Sequence, residues 1–336
     1  MLHRRNVLTG GSALLATSAT RVRAQAKMEI TISRQPGILY LPTHVIEKQK
    51  LLEKHAEKLG LSGVTTKWLN FNSGGAQQDA LLSGNVDFIN TGTGPLLLMW
   101  DRTKGGVKGV VASSAGPLTF VSRDPKIKTL ADLSEADKIA VPTVKISTQS
   151  ILLQIAAAKT WGDAAWNRFD PWTVQLGHPD AYIAMKGGIS EVKNHFAAPP
   201  FQHYELKNIA EAHAVTTSTE IIGGPLSQAQ FFVLQKFADA NPKIIQALRA
   251  AAEEAKAFIE TKTAEAVEIY KEITNDKTAS ADIMELLGQP GMMEWNLYPQ
   301  GTMTFARHLH KIGSIKTLPT SFRDYYLPIA HDLPGT

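Results

Sequence analysis

Residues Asn70–Trp100 read NFNSGGAQQDALLSGNVDFINTGTGPLLLMW, and this stretch decides the fold. Two short runs with β-branched and aromatic residues, Thr65–Leu69 and Val86–Asn90, predict strands, and Ala76–Leu82 between them has the length of a helix. Such a β-α-β unit has parallel strands. We therefore expect the loops after both strands to lie side by side at the carboxyl edge of a sheet, where α/β proteins bind ligands.

Small polar loops follow both predicted strands, and each loop opens a helix. The first turn of a helix leaves backbone N–H groups without partners, so the two loops are expected to direct N–H groups and hydroxyls into one space suited to an oxyanion. Glycine and serine are also common in turns that bind nothing, so the loops alone leave both interpretations open. The candidate ligand-binding residues in these loops are Asn72, Ser73, Gly74, Thr91, Gly92 and Thr93.

The amino terminus has the pattern of an export signal. Arg4 and Arg5 precede an apolar run, Val7–Ala19, and Ala24-Gln25-Ala26 offers small residues for cleavage. We predict a signal peptide over residues 1–26, of the twin-arginine type with a Sec signal as the alternative. The apolar run is shorter than the roughly 20 residues that a membrane-spanning helix needs.

The net positive charge of the sequence lies in the predicted signal peptide, the leader. Its four arginines account for the whole excess of basic over acidic residues, because the remaining residues hold 31 basic and 31 acidic side chains. A neutral mature protein without a lysine or arginine cluster gives no footprint for nucleic acid or for an anionic membrane. Any positive potential for an anionic ligand must therefore be local.

The sequence does not contain the residues that several kinds of chemistry require. There is no cysteine, which excludes disulfides, thiol catalysis and zinc-cysteine sites. His308 and His310 are two residues apart and face different sides of a helix, so they do not predict a metal site. Nucleotide-binding and hydrolase motifs are also missing. We expect no metal, no cofactor and no catalytic residue.

About 310 mature residues predict two domains. The run Asp79–Gly84 with the strand after it is echoed by Asp180–Gly188, followed by Val192–Phe196. We assign residues 27–114 plus 226–336 to lobe 1 and residues 115–225 to lobe 2. The crossings fall in small-residue segments, and two crossings make a hinge that lets lobes close on a ligand.

Lobe 2 contributes its own helix start. Lys138–Pro142 predicts a buried strand, and the loop after it leads into an apolar helix that Ser147 or Thr148 can cap. Lys145 in the same loop adds a positive charge, although a solvated loop lysine is equally consistent with the pattern. We count Lys145, Ser147 and Thr148 as candidate ligand-binding residues.

The segment QQDALLSGNVDFINTGTGP, Gln77–Pro95, resembles the signature of periplasmic substrate-binding proteins from nitrate, sulfonate, taurine and thiamine-precursor ABC transporters. The departures from the family pattern, at Gln49-Lys50 and at residues 134–137, lie away from the candidate loops. The resemblance covers most of the mature chain. It extends to Val45–Leu61, Lys128–Pro142, Phe231–Ile259 and Ile312–Tyr326.

This resemblance implies an α/β, two-lobed periplasmic-binding-protein-like fold of type II, with a hinge and a ligand cleft between the lobes. It also implies a monomer in the periplasm that delivers a small molecule to an ABC transporter membrane permease. Gln35 and Tyr40 correspond to the turn after the first strand that commonly contacts the ligand in this family. His195 falls in the small-residue loop that faces the cleft from lobe 2.

The ligand class and the transporter type stay open at this point. We favour a small organic anion of the alkanesulfonate, taurine or nitrate type, because the candidate loops hold no acidic residue. A pyrimidine or another aromatic thiamine precursor is the alternative. An enzyme of the thiamine-pyrimidine synthase type is disfavoured, since those enzymes carry a cysteine-rich motif. A binding subunit of a TRAP-type transporter is a further alternative.

Overall fold

The computed structural model describes residues 27–187, 191–289 and 291–336. The predicted signal peptide, residues 1–26, lies outside the described residues. Two five-stranded sheets dominate the molecule, with helices packed around each of them. No helix in the described ranges is both long enough and apolar enough to cross a bilayer.

The elements follow one another as alternating strands and helices, apart from a helical segment near the carboxyl terminus. The strands are β1 Glu29–Arg34, β2 Thr65–Asn70, β3 Phe88–Thr91, β4 Val107–Ala115, β5 Thr119–Ser122, β6 Lys138–Val141, β7 Thr173–Gln175, β8 Val192–Ala197, β9 His213–Thr217 and β10 Ser227–Leu234. The helices are α1 Leu41–Lys48, α2 Leu51–Lys58, α3 Gly74–Leu82, α4 Thr93–Arg102, α5 Thr148–Trp161, α6 His178–Lys186, α7 Phe201–Asn208, α8 Ser218–Ile222, α9 Gln235–Ala240, α10 Pro242–Thr261, α11 Thr263–Thr274, α12 Ser280–Leu287 and α13 Thr302–Lys311.

The two sheets have the same strand order. In the first sheet the order is β2-β1-β3-β10-β4, and in the second it is β7-β6-β8-β5-β9. The first three strands of each order run parallel, and the fourth runs antiparallel to its neighbours. In each sheet that fourth strand is one that has just crossed from the other sheet. The chain crosses between Ala115 and Thr119 and returns between Thr217 and Ser227.

The predicted β-α-β unit is confirmed, with one difference. β2, α3 and β3 follow the expected order, but β1 lies between β2 and β3 in the sheet. Their two loops still meet, because a β-carbon added to Gly74 would lie 2.4 Å from Oγ1 of Thr91. The predicted echo is also confirmed, since α6 and β8 occupy in the second sheet the places of α3 and β3 in the first.

The amphipathic segment over residues 242–274 forms two helices, which are separated at Lys262. Lys262 has extended φ and a ψ of 45°, so the helical hydrogen-bond pattern stops there. α10 packs against α1 and α2 through a buried cluster that includes Val45, Leu52, Ile244 and Leu248. This segment therefore packs on lobe 1, as its apolar stripe predicts.

The carboxyl-terminal tail completes the edge of the first sheet at Gly109 of β4. The N–H of Gly109 donates to the carbonyl of Tyr325 at 2.8 Å, and the N–H of Leu327 donates to the carbonyl of Gly109 at 2.8 Å. The ring of Tyr326 covers the glycine, so a β-carbon added there would lie 2.7 Å from a ring carbon. Only a residue without a side chain fits this contact.

We expect Gly109→Ala to lower the free energy of unfolding by about 1–3 kcal/mol, because the methyl group must displace the fully buried ring of Tyr326. The matched control is Gly224→Ala, which adds the same methyl group where nothing lies within 4 Å. Urea unfolding of both variants measures the difference, and equal midpoints would contradict the tight packing at Gly109.

Candidate functional site

Four helices begin at the surface where the two lobes face each other. α3 and α4 start from lobe 1 with Ser73 and Gly92 as their N-caps. α5 and α6 start from lobe 2 with Ser147 and Gly177 as theirs. The positive ends of these helices and their unpaired N–H groups therefore converge from both sides. This arrangement is suited to an anion.

The serine caps fix where two of these helices begin. Oγ of Ser73 accepts a hydrogen bond from the N–H of Ala76 at 3.4 Å, and Oγ of Ser147 accepts one from the N–H of Ser150 at 3.2 Å. Each cap satisfies one N–H of the first turn and leaves the earlier ones open. The open groups belong to residues at the lobe interface.

A cavity of about 40 Å³ lies between the four helix starts. This volume admits about three water-sized groups, which is the scale of a small polyatomic ion. Both lobes supply its wall. The wall residues are Gln35, Leu39, Tyr40, Gly74, Gly75, Gln78, Thr91, Gly92, Pro95 and Gln228 from lobe 1, and Leu118, Pro142, Thr143, Ser147, Thr148, Gln149, His178 and Ala198 from lobe 2 and the crossing before it.

Three polar atoms of this wall are buried and make no hydrogen bond within the described protein. They are Nε2 of Gln78, Oγ1 of Thr143 and Oγ1 of Thr148. Buried polar groups are nearly always paired, and an unpaired one costs about 1–3 kcal/mol. Three of them around one cavity indicate that the wall is built to hydrogen-bond a guest.

Gln35 and Tyr40 form a connected pair on the lobe 1 side. Nε2 of Gln35 donates to the hydroxyl of Tyr40 at 2.8 Å and to Oε1 of Gln77 at 3.0 Å. Burial raises the pKa of Tyr40, so the phenol keeps its proton. Because its oxygen already accepts from Gln35, the hydroxyl of Tyr40 has a proton to donate toward Thr91 or the cavity.

The wall is neutral as well as polar. It contains no lysine, arginine, aspartate or glutamate among the described residues. Its histidine, His178, is uncharged, because burial and the neighbouring His195 hold its pKa well below the usual value. Helix starts and neutral hydrogen-bond donors are thus the source of any attraction for an anion.

The lobes are in contact around the cavity, and small residues make the approach possible. A β-carbon on Gly92 would lie 2.2 Å from Oγ1 of Thr148, and one on Gly75 would lie 3.1 Å from the side chain of Thr143. A β-carbon on Gly177 would lie 2.9 Å from the carbonyl oxygen of Asn72. The structure is therefore a closed form.

Seven of the twelve residues predicted from the sequence line this cavity. They come from both lobes and from four different loops, so residues predicted from separate parts of the sequence lie around one cavity. These seven are Gln35, Tyr40, Gly74, Thr91, Gly92, Ser147 and Thr148.

Asn72, Ser73 and Thr93 do not line the cavity. The side chain of Asn72 is exposed, and its backbone carbonyl meets lobe 2 at Gly177 instead. Ser73 is the cap of α3. Thr93 is fully buried and turned into lobe 1, where its hydroxyl donates to the carbonyl of Ser227 at 2.9 Å and accepts from Nε2 of Gln230 at 2.7 Å.

Lys145 and His195 lie outside the cavity wall as well. Lys145 has a positive φ of 66° in a tight turn, which directs its side chain into solvent. His195 is fully buried one layer behind the wall, and its Nε2 lies 2.8 Å from Nδ1 of His178. The predicted charge at the site is therefore absent from the wall.

Five polar wall residues are not among the residues predicted from the sequence, namely Gln78, Thr143, Gln149, His178 and Gln228. The position of His178 could have been predicted, because Gly177-His178-Pro179-Asp180 has the proline and the acidic residue that are typical of a helix start. No sequence pattern indicates Gln228, since it enters the site on a strand that returns from lobe 2.

Within the described ranges, no group of three histidine, aspartate or glutamate side chains is arranged to hold a metal ion.

Comparison with known proteins identifies the fold. No protein-family model matches the chain, and no curated protein matches it in sequence. The solved structures that it resembles include the alkanesulfonate-binding protein of Xanthomonas axonopodis bound to MOPS, with 18% identity, a TM-score of 0.68, and 88% of this chain and 96% of that chain covered. They also include the periplasmic nitrate-binding protein of Synechocystis, with 16% identity, a TM-score of 0.65, and 89% and 84% covered.

The aliphatic sulphonate-binding protein of Escherichia coli is similar to the same degree, with 18% identity, a TM-score of 0.64, and 91% of this chain and 99% of that chain covered. The two-lobed α/β fold of periplasmic binding proteins, expected from the resemblance, is thereby confirmed.

The different surroundings of Thr93 and Thr148 predict opposite effects on stability. Thr93→Val removes a hydroxyl with two buried partners, so we expect a loss of about 1–3 kcal/mol in the free energy of unfolding. Thr148→Val replaces an unpaired buried hydroxyl with a methyl group of similar size and should leave stability unchanged or raise it. Chemical unfolding of the two variants without ligand measures this, and an equal loss in both would contradict the assignment.

Proposed function

We propose that the chain is the solute-binding component of an ABC importer and captures a small oxyanion, a sulfonate or nitrate, between its lobes. The observation that carries the proposal is the convergence of four helix starts and three unpaired buried donors on one cavity. Oxyanions accept several hydrogen bonds at once and are attracted by helix N-termini.

The composition of the cavity wall supports an anion with a single charge. A carboxylate in the wall would repel such a ligand, and the described wall has none. In the free protein the described wall also lacks a cationic side chain, so its attraction for an approaching anion comes from partial charges of about half a unit at each helix start. Partial charges from several helices suit a dispersed single charge better than the concentrated charge of a phosphate dianion.

The rings at the cavity also bear on the ligand. The ring-bearing wall residues among those described are Tyr40 and His178, whereas Phe71, Trp100, Tyr182 and Phe201 do not line the cavity. The site therefore favours a small oxyanion over a stacked aromatic ligand.

The proposed location and partner rest on the leader and on the fold. Paired arginines, a short apolar run and a small-residue cleavage site support export to the periplasm. The similar structures from Escherichia coli and Synechocystis are of periplasmic binding proteins, and a further similar structure, from Staphylococcus aureus, is of the ligand-binding component of an ABC-type import system. A monomer that docks on a membrane permease is consistent with this fold.

We also propose that the chain is not an enzyme. A catalytic site on this fold would need a nucleophile or a general base at the cavity, and the chain has no cysteine. The histidine of the described wall, His178, pairs through Nδ1 with a second histidine and through Nε2 with the Gln149 amide, so neither of its ring nitrogens is paired with a hydroxyl. Binding is the chemistry that these residues support.

The closed lobe contact gives a direct test of the binding mechanism. We expect wild type to bind nitrate or methanesulfonate, and Gly177→Ala to weaken that binding at least tenfold. The added methyl group meets the backbone carbonyl of Asn72, which cannot rotate away, and so opposes closure. Titration calorimetry measures the affinity, and small-angle X-ray scattering with saturating anion measures closure.

The matched control is Asn72→Ala, which keeps the carbonyl that Gly177 approaches and removes only an exposed side chain. Its affinity should stay within about twofold of wild type. Wild-type binding of a pyrimidine but of neither anion would contradict the proposed ligand class. Undiminished binding in Gly177→Ala would contradict the closure mechanism.

A further inference from the structure

Behind the cavity wall lies a buried chain of three titratable side chains. Nδ1 of His178 lies 2.8 Å from Nε2 of His195, and Nδ1 of His195 lies 2.6 Å from Oε1 of Glu205. His195 and Glu205 have no exposed surface. His178 reaches the cavity, and its Nε2 lies 3.2 Å from the amide nitrogen, Nε2, of Gln149, which also lines the cavity.

From this geometry, and resting on the proposed function, we propose that Glu205 acts through His195 to hold His178 as a hydrogen-bond donor to the bound anion. Anion binding is then linked to the retention of one proton by these three groups. Glu205 and His195 are positioning residues, because neither reaches the cavity, whereas His178 contacts the ligand.

The direction of each hydrogen bond follows from the donors and acceptors available. When Glu205 carries a proton, it donates to Nδ1 of His195. Nε2 of His195 then carries a proton and donates to Nδ1 of His178, so the remaining proton of His178 must lie on Nε2. The cavity therefore receives an N–H donor.

Loss of one proton reverses this chain. An ionised Glu205 accepts a hydrogen bond from the N–H at Nδ1 of His195, so Nε2 of His195 carries no proton and accepts a hydrogen bond from the N–H at Nδ1 of His178. Nε2 of His178 then presents a lone pair, which repels an anion. The Gln149 amide can pair with either form, since it has both a donor and an acceptor end.

The proton can also move along the chain without leaving it. Transfer of the Glu205 proton to Nδ1 of His195, together with transfer of the Nε2 proton of His195 to Nδ1 of His178, gives a carboxylate, a neutral imidazole and an imidazolium. The number of protons is unchanged, and Nε2 of His178 still donates. A bound anion favours this form because it places positive charge at the cavity.

In the free protein, the surroundings favour the form in which Glu205 carries its proton. Burial raises the pKa of Glu205 well above its usual value, and burial also holds the pKa of His195 at about 3. The groups that face the chain from other elements are Phe201, stacked on His178, the Gln149 amide, and Tyr40 across the cavity, whose proton stays bound. The other Glu205 oxygen, Oε2, is buried without a partner.

The pH dependence follows with a definite sign. Because the anion binds the form that keeps the proton, its affinity is constant below the apparent pKa of the three coupled groups and falls about tenfold per pH unit above it. Titration calorimetry with nitrate and with methanesulfonate from pH 5.5 to 9 measures this slope. Buffers with different ionisation enthalpies count the linked protons, and one proton is expected.

Glu205→Gln is the decisive variant. Its amide can donate to His195 as a protonated carboxyl does, but it has no proton to lose in this range. We expect it to bind anion with the affinity that wild type shows at low pH and to lack the fall at high pH. The matched control is Glu211→Gln, which removes an exposed carboxylate elsewhere and should keep the wild-type slope.

A second readout separates failure of this inference from failure of the proposed function. In free wild type, the ¹⁵N chemical shifts of His178 should show a proton on Nε2 at low pH and a proton on Nδ1 at high pH. In Glu205→Gln with anion added, they should show a proton on Nε2 at every pH below 9. Anion binding with the same pH slope in wild type and Glu205→Gln would overturn the relay and leave the binding function standing. Absence of anion binding at every pH would overturn both, whatever the shifts show.

Discussion

The unpaired backbone N–H groups at the starts of four helices are the constraint on which the rest of the structure depends. Each group needs a partner once water is excluded, and the intrahelical pattern cannot supply one. Two sheets with the same strand order bring these helix starts to facing edges. The cavity, its neutral donors and the small residues around it all follow from that arrangement.

Closure of the lobes has opposing costs and gains. Approach of Gly92 to lobe 2 and of Gly177 to lobe 1 buries apolar surface, and a shared cluster that includes Leu97 and Ile151 forms across the interface. The same approach strips water from Thr143 and Thr148, whose hydroxyls then lack partners. A ligand that pairs with them removes this penalty only in the closed form, so its binding shifts the population toward closure.

The sequence predicted the architecture of the site better than its side chains. The loops after β2 and β3 could be placed because parallel strands end at one edge. The hydroxyl of Thr93 lies away from the cavity, since its partners, Ser227 and Gln230, are on β10, a strand more than 130 residues away in the chain that lies beside β3. The side chain of Lys145 lies outside the cavity for a local reason, because it is exposed on a tight turn with positive φ.

The wall residues that were missed follow the same division. Gln228 reaches the cavity through packing between distant segments, which no local pattern encodes. His195 was found as a residue near the cleft, but its role behind His178 depends on two hydrogen bonds and on complete burial. Local pattern thus fixes where helices begin, and long-range packing decides which side chains they present.

The most direct test of the central claim compares two ligands of nearly the same shape, methanesulfonate and dimethyl sulfone, by titration calorimetry with the mature protein. Only the first carries a charge for the helix starts to attract. The account predicts saturable binding of methanesulfonate at one site and at least a hundredfold weaker binding of dimethyl sulfone. Equal affinity for the two would contradict it, because shape and apolar contact would then suffice without the anion.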